Sequence, residues 1–242
     1  MHAGTHERRR WPTGLLPILL LATNAAFAQG PPGTITAQQL LDVTSNCTVL
    51  PGSSNFRTKN DSPPPGTVPI CKLSGAIWWR ADMDIDCDGK RTAVCNETTD
   101  PAFQRQTSLT DSSGSPLDAS ILPFVVVPNP SNGFDYAAHG IFLGVAVAVI
   151  YNGQLRYGVF ADTGPEGLIG EASYAMASSF GIDPDPRTGG EDSGVTYIVF
   201  TGQNAVISPP ESNDQANVVG DQRAQDVVNA NSMPGGFNLF SV

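Results

Sequence analysis

Positive charge is scarce in this chain: 13 Lys+Arg stand against 23 Asp+Glu, a formal net charge of −10. A surface of that sign repels nucleic acid and anionic membranes and attracts polycations. Histidine is nearly missing as well, since His139 is the only one beyond residue 28. With no C-x-x-C pair beside it, a structural zinc site lacks its usual ligand spacing. No segment after residue 28 reaches about 18 uninterrupted apolar residues, which argues against a bilayer-spanning helix. No internal repeat is present either.

What is there begins with a three-part leader pattern. Arg8, Arg9 and Arg10 precede the apolar run "GLLPILLLA" and then "AFA" at Ala26–Ala28. A positive end, a short apolar core and small residues before a cleavage point are the grammar of a secretory signal peptide. Residues 1–28 are therefore expected to be removed and the product to be exported. The remainder carries 10 basic against 22 acidic residues, a net charge of −12.

Four cysteines, Cys47, Cys71, Cys87 and Cys95, suit an oxidising compartment and allow three pairings. Cys47–Cys71 with Cys87–Cys95 is the expected set, because it closes local loops. Residues 29–69 hold one amphipathic piece, "TAQQLLDVT", and then a Pro/Gly/Ser/Asn-rich stretch, and read as a loop-rich N-terminal extension. Residues 70–208 carry the β signals. "GAIWWRADMDID", "ILPFVVVPNP", "GIFLGVAVAVIYNGQLRYGVFAD" and "GVTYIVFTG" are short β-branched and aromatic runs bounded by turn residues. Within the third, Asn152-Gly153 predicts a hairpin turn. One helix is predicted over "GEASYAMASSFGI", with Glu171 at its start and Gly181 as its stop. Residues 209–242 read as a polar C-terminal tail, partly ordered at best, with one amphipathic patch at "RAQDVVNA". Many strands with one or two helices predict a closed or nearly closed barrel, with a single core.

Two stretches can carry chemistry. In "WWRADMDIDCDG" an aspartate occupies every second position, Asp82, Asp84, Asp86 and Asp88. The last three and Gly89 imitate the first half of an EF-hand loop, but the position that must supply the closing carboxylate is Cys95. Read as a strand, the period of two puts the four aspartates on one face. Such a row is either a solvated edge that discourages sheet aggregation or one wall of a groove for an aminated polymer. Trp78 and Trp79 add aromatic surface on which sugars stack and to which ammonium groups are drawn. Adjacent tryptophans on a strand cannot share a face, so at least one belongs to the core. We take Trp79 as the candidate platform.

The second stretch, "YGVFADTGPEGLIGEAS", ends a β run at Ala161, places Asp162 at its exit and reaches Glu171 nine residues later. Two carboxyls in one cleft are what glycosidic hydrolysis requires. Spacing alone leaves open a plain alternative, in which Asp162 is a turn residue and Glu171 a favourable charge at a helix start.

In "ADMDIDCDG", "YGVFADTGP…IGEAS" and "GVTYIVFTG", taken in that order over roughly residues 75–202, the sequence resembles the chitosanases of glycoside hydrolase family 75. The resemblance implies an exported enzyme that cleaves the β-1,4 links of chitosan internally with inversion. It also implies that Asp162 and Glu171 are the essential carboxylates and that no cofactor or metal is needed. Glu171 is taken as the acid and Asp162 as the base, with Asp82, Asp84, Asp86, Asp88 and Trp79 binding the cationic polymer. "DTGPEGLIG" is in addition similar to a turn of double-psi β-barrel proteins that act on polysaccharides. It implies a mainly β fold, a six-stranded double-psi-like barrel with one or two short helices and long disulfide-tied loops. The alternatives are another polysaccharide-cleaving enzyme on that barrel, an endoglucanase or lytic transglycosylase, and a non-catalytic carbohydrate-binding protein. A monomer is expected. His139 is read as a strand-end residue, and Asp183, Asp185, Glu191 and Asp192 as an acidic loop that either extends the groove or is plain surface. Asn46, Asn60 and Asn96 stand in glycosylation sequons.

Overall fold

A computed structural model describes residues 34–58, 66–131 and 133–232, together with Met1. Residues 2–28 of the expected leader and the sequon at Asn60 lie outside the described residues. Helix α1, Ala37–Val43, starts at a capping box between Thr36 and Gln39. Eight strands follow: β1 Thr48–Val49, β2 Cys71–Leu73, β3 Ala76–Asp86, β4 Phe124–Pro128, β5 Ala146–Tyr151, β6 Gln154–Gly164, β7 Glu171–Ser173 and β8 Glu191–Phe200. Helix α2 is Tyr174–Phe180 and helix α3 is Asn213–Asn231. Among the described residues no helix is long and apolar enough to cross a membrane.

The sheet closes on itself. Its order is β1-β2-β3-β7-β4-β6-β5-β8, and β8 returns to pair with β3. Six strands, β3, β7, β4, β6, β5 and β8, therefore form a closed barrel, as the strand-rich sequence predicts. Two of its pairings, β3 with β7 and β4 with β6, are parallel, and the other four are antiparallel. β1 and β2 continue the ladder outside the barrel, from the edge of β3 that β7 also uses.

Local chemistry explains the pieces. Asn152 and Gly153 both take left-handed φ, 47° and 71°, which gives the β5–β6 hairpin the twist its strands need. Strands buried on both sides read as continuous apolar runs, and β4 and most of β5 are buried throughout. Cys47–Cys71 ties the chain after α1 to β2, and Cys87–Cys95 closes the loop that follows β3. A loop of that first size loses enough unfolded-state entropy to stabilise the fold by roughly 3 kcal/mol.

Two expectations need correction. Glu171 does not start the helix, because residues 171–173 form β7 and Ser173 caps α2 through its side chain at the Met176 N–H. Residues 213–231 are not a loosely ordered tail but a 19-residue helix. Its buried stripe is Ala216, Gly220, Ala224, Val227 and Val228. Gly220 lets the helix approach so closely that a Cβ there would lie 2.5 Å from the Tyr157 ring. Small residues score poorly as an apolar stripe, so hydrophobic periodicity missed a helix held by close backbone approach.

Candidate active site

One rung of the barrel gathers the carboxylates. Val126 of β4 is the Cα partner of Asp162 on β6 and of Glu171 on β7, and Glu171 is in turn the partner of Asp84 on β3. Directly opposed residues present their side chains on the same face of a sheet. Asp162 and Glu171 are thus separated by one intervening strand, about 9.5 Å between Cα positions at two strand spacings. A cleft of about 270 Å³ opens at Glu171, lined among others by Asp84, Asp86, Asp88, Asp100 and Gln104; Asp162 does not line it, but its carboxylate comes within 4.8 Å of those of Asp86 and Asp88. Its described lining contains no Lys or Arg.

A bulge aims Asp162. Between Val125 and Val126 the β4–β6 register jumps from Phe160 to Asp162 and skips Ala161. Bulges bend a strand and redirect its side chains. The Ala161 carbonyl instead accepts the N–H of Leu109 at 2.9 Å. Asp162 is 8% exposed, and its Oδ1 accepts three N–H or O–H bonds: Ser108 N at 3.0 Å, Ser108 Oγ at 2.7 Å and Thr163 N at 2.7 Å.

Glycine 170 admits Glu171. It takes φ +108°, and a Cβ on it would stand 2.0 Å from Asp82 Oδ1. Its carbonyl accepts the Asp84 N–H, which fixes the register of β3 on β7. Gly170→Ala should therefore combine a left-handed φ penalty with a steric clash and cost about 2–4 kcal/mol. The expected result is a melting temperature lower by roughly 5–10 °C, with kcat reduced because Glu171 is displaced. An unchanged melting curve would contradict this packing.

Burial and mutual repulsion dominate the electrostatics. Glu171 is pushed up to about 8, first by burial and then by Asp88, Asp84, Asp162 and Asp100. Asp88 rises to about 6 through burial, with the Gln104 N–H opposing and Asp162 and Asp100 adding to it. Asp86 is raised well above the ordinary carboxylate range, again by burial first and then by Glu171, Asp88 and Asp162. The helix-start argument, which would have lowered Glu171, does not apply to a residue on β7.

The aspartate row divides. Asp84, Asp86 and Asp88 line the cleft. Asp82 does not, being 1% exposed and tucked beneath Gly170. The register between β3 and β8 slips between Ala81 and Met83, so strict alternation fails at Asp82. Trp79 is also a correction. It is fully buried and stacked on Tyr197 with ring centroids 5.4 Å apart, so it presents no face to a ligand. Trp78 is buried as well, under Arg80.

Asp86, Asp88 and Asp162 bring carboxylate oxygens within 4.8 Å of one another, a set that could ligate a small cation. The EF-hand reading still fails, since Cys95 is bonded to Cys87. His139 stacks on Phe134 and lines a different pocket, with Lys72 and Thr201. Of the acidic loop near residue 185, only Pro186 reaches the cleft, and Glu191 accepts the Tyr151 hydroxyl. The Asn96 side chain is occupied by the backbone of residues 92–99, whereas Asn46 is exposed.

Sequence reasoning missed Asp100, Gln104, Thr58 and Ser108. They come from loops without periodicity, and only the fold brings them here. Thr58 arrives because residues 57–58 of the N-terminal extension lie against the turn before β7, where Arg57 exchanges backbone hydrogen bonds with Gly167 and Ile169.

Residues 83–229 match the family described as fungal chitosanase of glycosyl hydrolase group 75. The chain is 36% identical over 134 residues to endo-chitosanase B of Aspergillus oryzae, covering 52% of this chain and 56% of that one. It is 33% identical over 150 residues to an endo-chitosanase of Aspergillus fumigatus, covering 59% and 61%. It thus spans a little over half the length of these curated relatives. Among solved structures, Streptomyces papain inhibitor aligns with 55% of this chain and 98% of its own at 17% identity, with a TM-score of 0.29. A likeness that slight carries no weight.

Proposed function

The chain belongs to glycosyl hydrolase group 75, the fungal chitosanases, and from that premise we propose that it is an exported glycoside hydrolase cleaving chitosan internally with inversion at the anomeric carbon. The observation that carries the reading is the rung on which Asp162 and Glu171 flank Val126. In inverting enzymes the two carboxyls stand roughly 6.5–9.5 Å apart, which leaves room for the attacking water. Two side chains reaching from strands one strand apart suit that separation.

Roles follow from environment. Glu171, held up to about 8, keeps its proton at mildly acid pH and can give it to the glycosidic oxygen as the bond breaks. Asp162, an acceptor of three hydrogen bonds, takes the proton of the water that attacks from the opposite side. Asp84, Asp86, Asp88 and Asp100 supply negative charge for a polymer bearing an ammonium on most of its sugars. This displacement uses no cofactor, and one copy of the chain supplies both carboxyls.

A reducing-end assay on chitosan, chitin and carboxymethylcellulose tests the substrate. Release from chitosan alone supports the reading, cleavage of carboxymethylcellulose points to an endoglucanase-like enzyme, and binding without release points to a carbohydrate-binding protein. Proton NMR of the first-formed ends should show the α-anomer, and a β-anomer would remove inversion. Attraction to the cleft should also be salt-sensitive, because exposed charges are screened. Asp84→Asn is expected to raise KM for chitosan about 2–5-fold at low salt and to blunt its rise with added salt. A KM indifferent to both would take Asp84 out of substrate binding.

A further inference from the structure

We propose that Ser108, on a loop outside the barrel, is a positioning residue for Asp162, fixing which of its two carboxylate oxygens faces the attacking water. The inference rests on the base role given to Asp162 above. Ser108 spends both of its donors, the N–H at 3.0 Å and the hydroxyl at 2.7 Å, on the same oxygen, Oδ1. The Thr163 N–H converges on that oxygen too, at 2.7 Å. Among the described residues all the hydrogen bonds to this carboxylate go to Oδ1, so Oδ2 is left to accept the water's proton. With its own hydrogen committed to Asp162, the Ser108 hydroxyl accepts from Thr163 Oγ1 at 2.8 Å, and the set becomes a short relay.

The loop is seated for this task. Leu109, next to Ser108, donates its N–H to the carbonyl of Ala161, the residue the bulge removes from the β4 ladder. One irregularity therefore aims Asp162 and also docks the loop that holds it. Four residues earlier the same loop gives the Gln104 N–H to Asp88 Oδ1 at 2.7 Å, so it restrains two of the three carboxylates that crowd within 4.8 Å. Ser108 itself is exposed, so core packing does not explain it.

The test is steady-state kinetics on chitosan with the full chain. Ser108→Ala should lower kcat about 10–50-fold, the worth of a hydrogen bond to a charged group, with KM within twofold and the melting temperature little changed. Ser108→Thr, which keeps the hydroxyl, should recover most of the rate. If the alanine variant fails to fold, Ser108→Cys keeps the shape with a weak donor and should show the same split. In an Asp162→Ala background, removal of the Ser108 hydroxyl should cost nothing further, because coupled residues are not additive. An unchanged kcat in Ser108→Ala, no recovery in the threonine variant, or a full additional loss in the double variant would each overturn the positioning role. Wild-type hydrolysis by Asp162→Ala alone would instead remove the base assignment beneath it.

Discussion

Glu171→Gln is expected to lower kcat on chitosan by about 1,000-fold or more and, at pH 8, to raise the melting temperature. The first effect follows because glutamine keeps the shape of the acid but has no proton to give to the leaving oxygen, and general acid catalysis is worth 10²- to 10⁴-fold. The second follows from the same raised proton affinity. Glu171 moves from an ordinary 4.5 to about 8 in the folded chain. The folded state then holds this proton more tightly than the unfolded one, so the associated stability is complete below about 4.5 and is lost as pH rises through about 8. Glutamine never ionises and escapes that loss. Because Glu171 opens onto the cleft, solvent reduces the gain to about 2 kcal/mol, or roughly 5 °C. Wild-type kcat should itself decline above pH 8 as the acid deprotonates. A Glu171→Gln variant that hydrolyses chitosan at half the wild-type rate would end the acid assignment. One that is inactive yet no more stable at pH 8 would mean the glutamate is ionised in the fold.

Asp162→Ala is expected to cost a similar factor, about 1,000-fold, and to respond to azide. Removing the base leaves Glu171 able to protonate the leaving oxygen while the water opposite is no longer activated. Azide, small, anionic and needing no deprotonation, can enter the space and attack the anomeric carbon. A carbon–nitrogen bond forms as the glycosidic bond breaks, the leaving oxygen takes the Glu171 proton, and the product of a β-linked polymer is the α-glycosyl azide. Mass spectrometry detects the azide product and NMR its anomer. Glu171→Gln should not be rescued with the natural polymer, since its unactivated leaving group still lacks an acid. Rescue of the glutamine variant but not of the alanine variant would exchange the two roles.

The sequence reached unevenly into this site. Its β-branched runs and the Asn152-Gly153 turn announce strands through local physics, and the barrel needs little more than those strands to close. The expectation that the cysteines close local loops agrees with the pairing found, Cys47–Cys71 and Cys87–Cys95. Asp162 and Glu171 were legible as a motif, but not the strand under Glu171. Three residues, 171–173, are too few to show a period, and the helix that follows them masked the change. Alternation found Asp84, Asp86 and Asp88 and failed at Asp82, where the ladder slips. Aromatic content misled at Trp79, because a large ring beside a polar run fills a barrel interior as readily as it lines a groove. Asp100 and Ser108 are contributed by tertiary contact alone, and no local signal marks them.

Val126 has no chemistry of its own, yet its place between the two carboxylates makes β4 a ruler. The Cα separation of the pair is set by two strand spacings, a quantity that side-chain substitution does not change. The place of the carboxyl groups depends on side-chain length and rotamer as well: two strands lie between Asp86 of β3 and Asp162 of β6, yet their carboxylate oxygens come within 4.8 Å. The inverting outcome proposed above therefore draws on topology and side-chain reach together. Point mutation can silence the proposed reaction or shift its pH range while this backbone spacing stays as it is.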